Sequence, residues 1–203
     1  MLDTGNRLTD KSGNGNTGKV YGPTYLQLPT GAGSMVFDGS NDYVSVRNRG
    51  SLNPASGITL EILMKIDSAD KQQTLVGKGP SGSIGSGYTL SIDSGNHLQF
   101  VVYDRDGRKQ TVASDQSLAA GKWYHVVATH DGSAMKIYVD GALMAGGSCA
   151  GMKRSIFSLA IGKHALASSE YFDGSMATVR IYGRALTPQE VIQNRQADIW
   201  RIG

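Results

Sequence analysis

Cysteine is nearly absent: Cys149 stands alone in 203 residues, so no disulfide can form within the chain. A fold of this length must hold by its core, or sit in a reducing compartment where bridges are not used. Proline is scarce, at five, while glycine reaches 27, about twice its usual share. No apolar run approaches the roughly 18 residues of a membrane-crossing helix, which excludes membrane insertion through a helix. No run of lysine and arginine exceeds two residues, and the net charge of +3 is spread along the chain, so no nucleic-acid stripe is expected. The opening MLDTGNRLTDKSGNGN has neither a charged n-region nor an apolar h-region and reads as no secretory signal. Glutamate is the scarcest charged residue, present only at Glu61, Glu170 and Glu190.

What is present is alternation with period two. Strands are expected at 35–37, 43–46, 58–66, 74–76, 88–93, 97–103, 109–113, 123–130, 135–139, 143–144, 157–161 and 177–182. The nearly all-apolar ITLEILMKI at 58–66 reads as a central strand. Turns such as SGN, DG and DG link many of these runs at hairpin length, too short for parallel crossovers. One helix is marked at about 188–196, with Thr187 as N-cap, Pro188 in the first helical position and Glu190 closing a capping box. The tail 196–203 is expected to pack Trp200 and Ile202 onto the body or onto a neighbour. The fold class is therefore all-β, an antiparallel two-sheet sandwich with one short C-terminal helix, and the length allows one large domain or two small ones.

Five segments occur in order: DKSGNGNTGKVYG, MVFDGSNDYVSV, ITLEILMKID, GKWYHVVATHDGSAMKIYVDGALMAGG and YFDGSMATVRIYGRALTPQEV. Together they resemble the laminin-G-like, concanavalin A-like lectin/glucanase superfamily over about residues 8–195. The letters FDGS occur twice, at 37–40 and 172–175, each reading as a strand phenylalanine followed by an Asp-Gly turn. Their flanks share little, which argues against a repeat. The resemblance implies instead a single jelly-roll domain over 1–203, in which first and last strands lie side by side in one sheet, so that the two segments meet.

Chemistry is sparse. Asp10, Ser12 and Asn14 open like a calcium loop, with oxygen donors at alternate positions, but Tyr21 stands where that loop needs its closing Glu. The resemblance implies an acidic residue after the second FDG; Ala177 holds that place. Asp38, Asn41, Asp42 and Asp173 form a second oxygen-rich group if the FDGS segments adjoin. Calcium is the one cofactor these patterns allow. Glycoside hydrolysis needs two carboxyls about 5–10 Å apart. Glu61 has Leu63 and Ile66 where superfamily glucanases carry acids, Glu190 is occupied in a cap and Glu170 lies in a loop, so no catalytic residue is assigned. His97, His125, His130 and His164 have no metal spacing, and His125 reads as an interior, hydrogen-bonded group. Cys149 reads as inert. Tyr103, Arg105 and Tyr171 are the candidate ligand-binding residues: aromatics at strand ends on which a sugar face can stack, and a guanidinium able to bind two oxygens at once.

Three functions follow. The first is a non-enzymatic structural or adhesion module docked on a larger assembly, expected to be a phage virion with capsid or tail proteins as partners, in head decoration or tail attachment. The motive is a domain that fills the chain from Met1 with no signal and no catalytic set. The second is a calcium-dependent carbohydrate-binding module with surface glycans as partners. The third is a glycosidase. The first places the protein on a virion surface, the second outside the cell; a homo-oligomer is open in either.

Overall fold

A computed structural model describes residues 2–3, 6–54 and 56–203; Met1, and with it the reading of the chain's start, lies outside them. Among the described residues, sixteen strands form two antiparallel sheets. In chain order they are β1 (Leu2–Asp3), β2 (Arg7–Leu8), β3 (Gly18–Tyr21), β4 (Thr24–Gln27), β5 (Gly33–Asp38), β6 (Tyr43–Val46), β7 (Ile58–Ile66), β8 (Gln73–Lys78), β9 (Tyr88–Ile92), β10 (His97–Tyr103), β11 (Lys109–Ser117), β12 (Trp123–His130), β13 (Ala134–Val139), β14 (Ala142–Ser148), β15 (Leu159–Ile161) and β16 (Asp173–Tyr182). One sheet runs β1-β2-β3-β6-β15-β8-β9-β10-β11, the other β14-β13-β12-β7-β16-β5-β4. This is the expected sandwich. The four strands before β5 were not read from the sequence: they are two to four residues long, and β4 is exposed throughout, so no apolar alternation marks it.

β7 shows why the sequence folds this way. Ile58, Leu60, Ile62, Met64 and Ile66 are fully buried between the sheets, packed with Phe37, Val44, Leu90, Phe100 and Val126. Thr59, Glu61 and Leu63 point the other way, as the two-residue period demands, yet these too are buried. The C-terminal helix α1 (Pro188–Asp198) lies on that side, where Leu186 and Val191 pack on Val127, Tyr138 and Tyr182. Both halves of its capping box form, between Thr187 and Glu190. It runs two residues beyond the expected end, to Asp198. Of the two expected placements of Trp200, packing onto the body is not found: that ring is 55% exposed, and Asp198 is the buried group of this segment. No helix among the described residues is long and apolar enough to cross a membrane.

The two FDGS segments do meet. β5 and β16 pair antiparallel with Asp173 opposite Asp38 and Gly174 opposite Phe37, and the Phe37 and Phe172 rings pack edge to face at 5.7 Å. β5 is not the first strand, however, and the second copy is no turn. Phe172 precedes β16, and Asp173-Gly174-Ser175 lie within it. Gly174 has φ 151°, and a Cβ there would run into the Lys65 carbonyl of β7. Gly174→Ala is therefore expected to lower the unfolding free energy by about 1–3 kcal/mol, measured by urea titration. A wild-type midpoint in that variant would contradict the packing.

Candidate functional site

The pairing directions set two ends to the nine-stranded sheet. β8 and β10 finish at one end, where the loop segments 9–17, 47–54, 79–87, 104–108 and 149–158 gather. The other end carries 38–42, 67–72, 93–96 and 162–172.

Tyr103 and Arg105 belong to the first end and Tyr171 to the other, so the three candidate ligand residues make no single site. The expectation of an exposed ring at Tyr103 is corrected: it is 2% exposed, and its hydroxyl donates to the Gly82 carbonyl at 3.0 Å. It is a wall on which the loop after β14 hangs, since Lys153 N–H donates to the Tyr103 carbonyl at 2.8 Å. Arg105 is exposed, and it lines a depression of about 430 Å³ with Asp104, Gln110, Ser133, Cys149 and Gly151. The Asp104 carboxylate is turned inward. Its Oδ1 accepts from the Asp106 and Arg108 amides and its Oδ2 from Gln110 Nε2 at 3.0 Å, which holds its pKa below the usual range. Arg105 forms no ion pair among the described residues, and its side chain lies along Gly151 at the edge of the depression. Burial first, then the charge of Asp104, pushes the Cys149 thiol up to about 11, so the cysteine is no nucleophile.

Tyr171 lies at the far end beside a stacked pair, Tyr21 and Tyr43, whose centroids are 4.5 Å apart. Lys19 and Lys163 sit over these rings at 4.8 Å each. Burial, then the Tyr21 and Tyr171 phenols, raise the Tyr43 pKa. The ring faces are thus already covered by cations and by one another.

The donors considered for calcium fall at opposite ends and do not fit the ion. Asp10 accepts from Ser12 N–H at 2.9 Å, Ser12 Oγ at 2.8 Å and Asn16 N–H at 2.8 Å. Asn14 donates to Ser12 Oγ at 3.0 Å, and the Arg49 guanidinium lies against Gly15 of the same loop. Asp38 accepts from the Ser40 and Asn41 amides, and buried Asp42 accepts from Asp38 N–H. Asp173 is held by Ser68 and by the Lys71 ammonium at 3.4 Å. Ala177, at a bulge in β16, adds only a methyl. The Asp10, Asp38 and Asp42 carboxylates thus bind their own turns, and Asp173 is taken up by the 67–72 loop.

The sequence missed one constellation. Beneath α1, Glu61 is fully buried; it accepts from His125 Nε2 at 2.7 Å, Tyr182 Oη at 2.8 Å and Asn194 Nδ2 at 3.1 Å. Arg180 reaches Glu61 at 3.4 Å and clamps Asp198 with both terminal nitrogens. Ligand atoms of Glu61, His125 and Asp198 lie within 4.8 Å of one another. Two carboxyls this close have the spacing of a retaining glycosidase, but here the Arg180 guanidinium bridges them and neither carboxyl is open to solvent. Burial opposes ionisation of Glu61, yet the His125 and Tyr182 hydrogen bonds and Arg180 outweigh it and hold its pKa below 4.5. A proton-donating glutamic acid needs the reverse shift. His125 carried a signal, since it reads as an interior, hydrogen-bonded group; Arg180 comes opposite Glu61 only through the pairing of β16 with β7, and Asp198 lies in a tail with no local mark.

Residues 38–192 match the family profile described as the concanavalin A-like lectin/glucanases superfamily. Mouse pappalysin-1 is 24% identical over 181 residues, taking in 80% of this chain but 11% of that protein. Among solved structures, the binding domain of Paraclostridial Mosquitocidal Protein 1 aligns with TM-score 0.74 at 17% identity, over 97% of this chain and 50% of that one. The botulinum neurotoxin serotype D ligand-binding domain, solved with N-acetylneuraminic acid, aligns with TM-score 0.72 at 17% identity, over 94% and 48%. The chain thus spans about half the length of these two solved domains and about a tenth of pappalysin-1.

Proposed function

From a chain that belongs to the concanavalin A-like lectin/glucanases superfamily, we propose a non-catalytic binding module that takes a surface glycan in the depression beside Arg105. The observation that carries this reading is the Arg105 guanidinium, in no ion pair among the described residues, beside Gln110, Ser133 and residues 149–151 in a depression of sugar-sized volume. Hydroxyl-rich ligands are recognised by such convergent donors and acceptors. The absence of catalysis is supported by the sealed, arginine-bridged state of the close carboxyl pair. A toxin ligand-binding domain, about half of which shares this fold, was solved with N-acetylneuraminic acid, which makes acidic glycans a class to test. Nothing in the architecture singles out a virion, and the reading does not include one.

The test is a glycan array with the whole chain, followed by titration of the best ligand. Arg105→Ala is expected to weaken binding about ten- to a hundredfold, the worth of one or two charge-assisted hydrogen bonds, with an unchanged melting temperature. A flat array at high protein concentration, or full affinity in the variant, defeats the assignment.

A further inference from the structure

Lys78 ends β8 with its side chain 1% exposed. Its ammonium donates to Asn48 Oδ1 at 2.7 Å, to the Ser155 carbonyl at 3.0 Å and to the Phe157 carbonyl. Three donors meet three oxygens, so every N–H is satisfied, but all three oxygens are neutral. Neutral dipoles solvate a charge without cancelling it, and a buried charge with no counter-ion is costly. Burial lowers the Lys78 pKa to about 8, which still leaves it mostly protonated at neutral pH.

Above this ammonium lies a second depression, of about 420 Å³, lined by Asn48, Arg49, Gly50, Asn53, Arg154, Ser155 and Ile156. Asn48 and Ser155 belong to both features. The pocket lining holds two guanidiniums and no carboxylate, and neither Arg49 nor Arg154 forms an ion pair among the described residues. The nearby acid Asp10 is turned onto its own loop. The walls are fixed: Asn53 Nδ2 donates to Asn48 Oδ1 at 2.8 Å, and Asn53 Oδ1 accepts from Ser155 N–H at 3.1 Å. Since the Asn48 oxygen accepts from Lys78, its amide nitrogen is left to donate outward. Ile156, 81% exposed, offers an apolar edge at the mouth.

We propose that this pocket is an anion subsite that binds the carboxylate or sulfate group of an acidic glycan. Arg49 and Arg154 supply planar donor forks for such a group, and its charge serves as the counter-ion that Lys78 lacks. The pocket lining has no aromatic ring, so a nucleobase would find nothing to stack on; a sugar C–H face can rest on Ile156. The strap 149–157 walls this pocket and the Arg105 depression alike, so one glycan can engage both. The glycan part of the inference rests on the module reading above.

The experiment titrates the full chain with lactose, 3′-sialyllactose and a 6-sulfated lactosamine, and in parallel with sodium sulfate under NMR observation. At least one anionic sugar is expected to bind at least tenfold more tightly than lactose. Sulfate is expected to shift the amide signals of Asn48, Arg49, Asn53 and Ser155. The surface double variant Arg49→Gln/Arg154→Gln is expected to lose both effects while keeping the wild-type melting temperature; comparing the two anionic sugars separates carboxylate from sulfate. Lactose binding with no anionic preference, a preference that survives the double variant, or sulfate shifts elsewhere each overturn the inference alone. No binding to any of the three sugars defeats the inference together with the module reading.

Discussion

Glu61→Leu is expected to lower the unfolding free energy by about 3–5 kcal/mol, the range for breaking a buried ion pair by removing one partner. The substitution strands the His125, Tyr182 and Asn194 donors and leaves the Arg180 guanidinium with one carboxylate instead of two. Arg180 is still about one-third exposed, so water recovers part of the loss and the value falls toward the lower end. Glu61→Gln keeps an acceptor in place and costs less. The same site governs acid stability. Glu61 and Asp198 both have folded pKa values below their ordinary 4.5 and 3.8: burial opposes this, and hydrogen bonds and arginine charge outweigh burial. A carboxylate with a depressed folded pKa contributes stability that is full above its unfolded value and lost as pH falls through the folded one. Wild-type stability should therefore drop below about pH 4.5, and Glu61→Gln should flatten that drop. Urea midpoints between pH 7 and 3 check both; a variant with the wild-type slope would remove Glu61 from the explanation.

Phe37→Ala and Phe172→Ala are each expected to cost about 3–5 kcal/mol, as large-to-small changes at fully buried aromatic positions. Phe37 is 1% and Phe172 0% exposed, and they touch each other where β5 and β16 pair. The double variant should cost less than the sum, by the roughly 0.5–1.5 kcal/mol of an edge-to-face pair. Strict additivity in thermal and urea unfolding would show that the rings act independently.

The sandwich was legible because its causes are local. Alternation in ITLEILMKI and WYHVVATH marks strands with one face to a core, Asp-Gly pairs mark their turns, and Thr187-Pro188-Gln189-Glu190 marks a helix start. The meeting of the FDGS segments was reached through resemblance, and pairing bears it out, though the second copy proved to be strand. β1 to β4 were missed because short strands owe their form to a neighbour's hydrogen bonds rather than to their own pattern. Of the candidate site, Arg105 was named from its type and its place in a polar loop; its separation from Tyr171 by the length of the sheet was not visible.

By itself the sequence determined the layers, the helix start and the lack of a close acidic neighbour for Glu61 on its own strand. Tertiary structure alone decided that Asp198 would come beside Glu61, that Tyr103 would be a wall, and that Lys78 would be buried among neutral oxygens beneath Arg49 and Arg154. Propensity and period act over a few residues, whereas burial and charge neighbours depend on segments tens to more than a hundred positions apart, joined only when the sheets pack.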